Sequence, residues 1–248
     1  MRPLRAGLAI LLPIALSAPL AAAPGDPPAP AYDKPLATKK TKSRKYETVC
    51  VYFPDFMLKS RTPLQGEGGA ETPIVVRAKD APCGEAKAAG ETALKAADEN
   101  ATTAFAGRKG AFLIFEGSLE QNRDFAILDA ASGRLLFKDT GGFGARIDAV
   151  SLDSGALSLR YRRDVTPSES CSLMANARAC WARVAAEGKL PASAAKQTPS
   201  PQLCAAAYKA AGAQPSQESR LELPVEVRVD VALKAEVKAN GPVVCEPF

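Results

Sequence analysis

The chain of 248 residues contains no histidine and a single tryptophan. Without histidine there is no Ser-His-Asp or Cys-His nucleophile pair and no imidazole-ligated zinc. The only side chain that titrates near neutrality unperturbed is also missing. None of the six cysteines forms a C-x-x-C pair, the spacing on which structural zinc sites are usually built, so no metal and no cofactor is expected. No apolar run approaches the roughly 20 residues that a membrane-spanning helix needs. Nor is there an excess of charge over the body of the sequence, which removes the basic footprint of a nucleic-acid binder.

What is present starts with an export signal. Arg2 and Arg5 precede an apolar stretch from Ala6 to Leu16, and Ala21-Ala22-Ala23 leads into Pro24. A positive start, an apolar run of about 11 residues and a small-residue exit read as a cleaved signal peptide over 1–23. The expected location is therefore periplasmic or extracellular, in a bacterium by the alanine-rich composition. An even number of cysteines in an exported chain implies disulfides. Nearest-neighbour connectivity is the expectation: Cys50 with Cys83, Cys171 with Cys180, Cys204 with Cys245.

The positive charge is concentrated. Residues 24–45 carry Lys34, Lys39, Lys40, Lys42, Arg44 and Lys45 against Asp26 and Asp33, while 46–248 is close to neutral. With five prolines and few large apolar residues, 24–45 reads as an extended basic linker. Residues 34–45 are a candidate for contact with an anionic surface.

The remainder, 46–248, reads as one disulfide-stapled α+β domain dominated by antiparallel sheet, with two or three short helices. Strands are expected over Tyr46–Phe56 and Pro73–Arg77, with a loop over 60–72, and an Ala/Glu/Lys-rich helix is expected over 84–98. Ala111–Glu116 is an apolar run of strand length. Two hairpins follow, Asp124–Asp129 with Arg134–Lys138 and Arg146–Leu152 with Ala156–Arg162. Each turns at a glycine that can adopt positive φ. Helices are expected over 175–189 and 202–211. A last strand is expected from Val225 to Lys234, with a turn back at Asn240-Gly241.

Few motifs carry chemistry. Asp139-Thr140-Gly141 and Asp153-Ser154-Gly155 match the D-[ST]-G signature of aspartic proteases, whose two carboxylates about 3 Å apart share a proton and activate water. Asp139 and Asp153 are therefore the catalytic candidates, although the same tripeptide is a common hairpin turn. Asp129, Asp139 and Asp153 show no calcium-loop spacing. Ser193-Ala194-Ala195-Lys196 matches S-x-x-K without its companion motifs. The loop Gly142-Phe143-Gly144 sets an aromatic side chain between glycines, and Phe143 is the candidate binding finger, with Gly142 and Gly144 beside it.

The sequence thus points to an exported, non-catalytic binding protein that acts on another envelope or secreted protein, for instance as an inhibitor, an immunity factor or an accessory subunit. Two alternatives stand beside it: a structural envelope component that touches an anionic surface through its basic tail, and a carboxylate-dependent hydrolase.

Overall fold

The computed structural model describes residues 30–65, 71–77, 79–84, 86–95, 104–117, 123–141, 147–195 and 198–248. Five strands form the first sheet in sequence order: β1 (Ala37–Lys42), β2 (Tyr46–Tyr52), β3 (Met57–Pro63), β4 (Ile74–Val76) and β5 (Glu91–Ala93). The second sheet begins with β6 (Ala104–Lys109), β7 (Phe112–Glu116), β8 (Arg123–Asp129), β9 (Leu135–Gly141), β10 (Ile147–Asp153) and β11 (Ala156–Asp164). It is completed by β12 (Ser219–Val229), β13 (Ala235–Ala239) and β14 (Val244–Pro247). Its order is β13-β12-β11-β9-β8-β7-β6, with β10 beside β11 and β14 beside β12. All of these pairings are antiparallel. Between β11 and β12 come three short helices, α1 (Ala177–Ala186), α2 (Ala192–Ala195) and α3 (Gln202–Ala211).

The strands β7 and β8 lie between two cores, which explains the unbroken apolar run of β7. Leu113, Phe115, Ala126 and Leu128 face the first sheet and pack with Phe53, Phe56, Leu58 and Val75. Phe112, Ile114, Phe125 and Ile127 face the other way, towards Leu157, Leu159 and Tyr161 of β11 and the alternate residues Leu221 to Val229 of β12. A strand covered on both faces has no wet side to alternate with. β12, covered on one face only, alternates cleanly, and α1 and α3 close that face with Cys180, Trp181, Val184, Cys204 and Tyr208.

The disulfides join Cys50 to Cys83, Cys171 to Cys180 and Cys204 to Cys245, as expected from neighbouring positions. The last ties α3 to β14, and the first holds the loop before β5 against β2. Among the described residues no helix is long and apolar enough to cross a membrane. Three disulfides fit an extracellular or periplasmic protein.

Several sequence expectations need correction. Residues 60–72 are not all loop, because β3 runs to Pro63 between β2 and β4. The helix expected over 84–98 is not formed over 86–94, where Glu91–Ala93 make β5; Lys95 is helical, and 85 and 96–98 lie outside the described residues. Helix propensity is a weak prior, and here tertiary contacts override it. Cys83 is bonded to β2, Glu91 pairs with Lys59 of β3, and Leu94 is buried in the inter-sheet core.

The last long strand ends at Val229, not Lys234. Asp230 accepts hydrogen bonds at its carboxylate from the Ala232 and Lys234 amides, both at 2.9 Å, and this side-chain turn reverses the chain. Val231 consequently points to solvent, 73% exposed. Asn240-Gly241 does not fold β14 back on β13. Both strands lie along the same edge of β12, and the chain bulges between them opposite Pro224, which has no N–H to offer a partner.

The segment read as a linker over 24–45 is structured from residue 30 onward. The Tyr32 ring lies over Gly107, the Asp33 amide donates to the Arg108 carbonyl at 2.8 Å, and Lys109 Nζ donates to the Ala31 carbonyl at 2.7 Å. From there the chain enters β1. Lysine and threonine suffice for this strand because it has a neighbour on one side only, and Thr38–Lys42 are exposed.

Candidate functional site

The two D-[ST]-G aspartates sit at opposite ends of one strand. Asp153 is paired with Ala156 at the start of β11, and Gly141, two residues beyond Asp139, is paired with Arg163 near its end. At about 3.3 Å per residue the carboxylates are about 20 Å apart, so they cannot share a proton within one chain. Asp153 occupies an exposed turn, where Ser154 Oγ donates to it at 3.2 Å.

Asp139 has a structural partner set. Its Oδ2 accepts from the Tyr161 hydroxyl and from Arg163, whose Nε lies 2.7 Å away. Arg163 also donates to the Lys189 carbonyl at 3.2 Å, which ties the segment after α1 to the sheet. Burial drives the Tyr161 hydroxyl pKa well above its ordinary value, and the Asp139 charge adds to this. Burial also works against the Arg163 charge, but Tyr161 and Asp139 more than compensate. The group is a closed charge-compensated lock.

A second lock lies in the first sheet. Lys59, 1% exposed, donates to the Glu91 carboxylate and, at 3.3 Å, to the Ala86 carbonyl. Glu91 accepts from the Ala88 amide at 2.9 Å. Burial raises the Glu91 pKa, but the bonds from Ala88 and Lys59 outweigh it and leave the carboxyl below its ordinary range. Asp129 behaves likewise: bonds from Ser132 and Ala131 overcome its burial, as in any capped turn. Among the described residues no group of three or more metal-ligating side chains is assembled. Ser193 lies in α2, where its Oγ is 3.5 Å from the Ala239 amide, and Lys196 lies outside the described residues. Gly142, Phe143 and Gly144 also lie outside them.

The feature that sequence reading missed is the free edge of β1. Ser43 donates its amide to the Tyr46 carbonyl at 2.9 Å, which closes the β1–β2 hairpin. The Lys45 and Tyr46 amides both donate to Ser43 Oγ at 3.0 Å. Hydrogen-bonded pairs recur every second residue in an antiparallel ladder, so Thr41 with Thr48 and Lys39 with Cys50 continue the pattern. The backbone groups of Thr38, Lys40 and Lys42 therefore point away from β2. Among the described residues no strand pairs with that side.

The other sheet edges are covered, short or, in the seven-residue β10 that pairs with β11 alone, free of lysine. Residues 31–33 lie along β6, Ser193 of α2 meets β13, and β5 has three residues. β1 offers six. The only signal in its sequence is threonine spaced among lysines ahead of a serine turn, and the charge hides it.

No family model matches the sequence, and no match is found among curated proteins or solved structures.

Proposed function

We propose that this chain is an exported, non-catalytic binding protein that recognises another envelope or secreted protein, as an inhibitor, immunity factor or accessory subunit would. The observation that carries this reading is the six-residue edge of β1, exposed and unpaired among the described residues. An open edge presents backbone donors and acceptors in a fixed row, and a second chain satisfies them by adding a strand. The disulfide-held β1–β5 sheet keeps that row rigid, which lowers the ordering cost of binding. The titratable groups with the strongest local partners, at Asp139, Glu91 and Asp129, support the same reading because their bonding is turned inward to the fold.

The basic hairpin also suits a structural component resting on an anionic surface. The directional backbone row favours a protein partner over a diffuse surface.

Affinity capture from envelope extract tests the proposal. Lys40→Pro removes one outward N–H, and proline is tolerated at such a position on an edge strand. The mature chain is expected to recover one stoichiometric protein, and Lys40→Pro, still folded by circular dichroism, is expected to lose it. Equal recovery by both overturns the role of the edge. Loss with Phe143→Ala alone assigns the contact to that loop.

A further inference from the structure

We infer that the partner segment received by β1 is an extended acidic strand, with carboxylates at alternate positions. This inference rests on the binding reading above and names the chemistry of the partner.

The argument begins with the two faces of the edge. Residues at alternate positions of a strand share a face, so Thr38, Lys40 and Lys42 lie on one and Ala37, Lys39 and Thr41 on the other. Lys39 is engaged, its Nζ standing 5.2 Å from the centre of the Tyr52 ring. Lys40 and Lys42 are exposed, and no carboxylate among the described residues forms an ion pair with either. The same two residues turn their backbone groups outward. Free cations and free backbone groups thus coincide at Lys40 and Lys42.

Charge around the edge reinforces this. Arg44 and Lys45 form the tip of the hairpin and Lys34 precedes the strand. Of the nearby acids, Asp33 is occupied, its Oδ2 accepting from the Gly110 amide at 2.7 Å with Lys109 3.7 Å from its Oδ1, and Glu47 stands opposite Lys42 across the β1–β2 ladder but forms no ion pair with it.

Three occupants of the edge can be compared. A second copy of β1 would set lysine against lysine, and like charges directly opposite across strands repel. An apolar strand would bring uncharged side chains against Lys40 and Lys42 and strip water from them without compensation. A strand with glutamate or aspartate at every second position places its carboxylates beside Lys40 and Lys42 while its backbone completes the ladder. Edge lysines that prevent self-association therefore select an acidic partner.

The probe is a capped ten-residue peptide of alternating Glu and Thr, titrated into the mature chain at low and high salt. Three comparisons accompany it: the Lys-Thr counterpart, the Glu-Thr peptide N-methylated at every residue so that neither edge can donate, and anionic phosphatidylglycerol vesicles. Binding of the Glu-Thr peptide is expected to be at least about tenfold tighter than that of either peptide control, since it alone offers both charge and ladder. Lys40→Pro and the double variant Lys40→Glu with Lys42→Glu are each expected to lose that advantage. The Thr38, Lys40 and Lys42 amides are expected to gain exchange protection in the complex.

Equal binding of the N-methylated peptide overturns strand addition. Vesicle binding that Lys40→Pro leaves unchanged, with no peptide binding, assigns the cations to a lipid surface and also overturns the inference. If the Glu-Thr peptide fails while Lys40→Pro still abolishes capture from envelope extract, the acidic partner is wrong and the binding function stands. If the peptide binds but capture is indifferent to Lys40→Pro, the acidic preference holds and the proposed function falls.

Discussion

The Tyr32 ring rests on the bare Cα of Gly107: a Cβ built there would lie 2.2 Å from the ring. This contact, together with the bonds of Asp33 and Lys109, holds the start of the described chain on β6. It sits beside Arg108, whose guanidinium pairs with Asp55 and lies 5.1 Å and 4.9 Å from the ring centres of Phe53 and Phe56. Together the two residues seat the basic segment on the second sheet before it joins the first as β1.

Gly107→Ala is therefore expected to unseat residues 30–33. Overpacking of this kind costs about 1–3 kcal/mol, and thermal unfolding should fall accordingly. Limited proteolysis should cut near residues 30–36 faster than in the parent. An unchanged melting temperature with unchanged cleavage would contradict the contact.

The Lys59–Glu91 pair is expected to show the asymmetry of buried charges. Glu91→Ala leaves the Lys59 ammonium without its counter-ion and should cost about 3–5 kcal/mol, whereas Lys59→Met with Glu91→Leu should recover much of that. Denaturant unfolding of the single and double variants measures the difference. The pH dependence has a definite sign. The Glu91 carboxyl is held below its unfolded value, so its contribution is present above about pH 4 and is lost as the pH falls through the folded value. The parent and Glu91→Gln should therefore converge in stability towards low pH. A gap that stays constant down to pH 2 would refute this.

The two D-[ST]-G sites should respond differently. Asp139→Asn weakens the bonds to Tyr161 and Arg163 and is expected to cost about 1–3 kcal/mol. Asp153→Asn, in an exposed turn, should stay within about 0.5 kcal/mol. Equal effects would mean that the Asp139 lock contributes nothing.

What the sequence made legible follows from how locally each feature is determined. The hairpins around Gly133 and Gly155 were readable because apolar alternation and a positive-φ glycine act over a few residues, and φ is 71° and 82° at these positions. The disulfides were readable because their cysteines sit on elements adjacent in both chain and space. The segment 84–94 was not, because its alanines and lysines favour a helix locally while Cys83, Glu91 and Leu94 are claimed by residues far along the chain. β1 escaped for the opposite reason. An edge strand with exposed side chains buries almost nothing, so no apolar periodicity marks it. Of the candidate site, Asp139 is visible as a motif, but its partner Arg163 lies just past the strand expected to end at Arg162, on the face of Tyr161.

The central claim is that the outer row of β1 is open, and amide hydrogen exchange on the free protein tests it most directly. The Thr38, Lys40 and Lys42 amides are expected to exchange rapidly, while those of Lys39 and Thr41, bonded to β2, are expected to be protected. Protection at Thr38, Lys40 and Lys42 as strong as at their neighbours would mean that the edge is already covered, and the account would be contradicted.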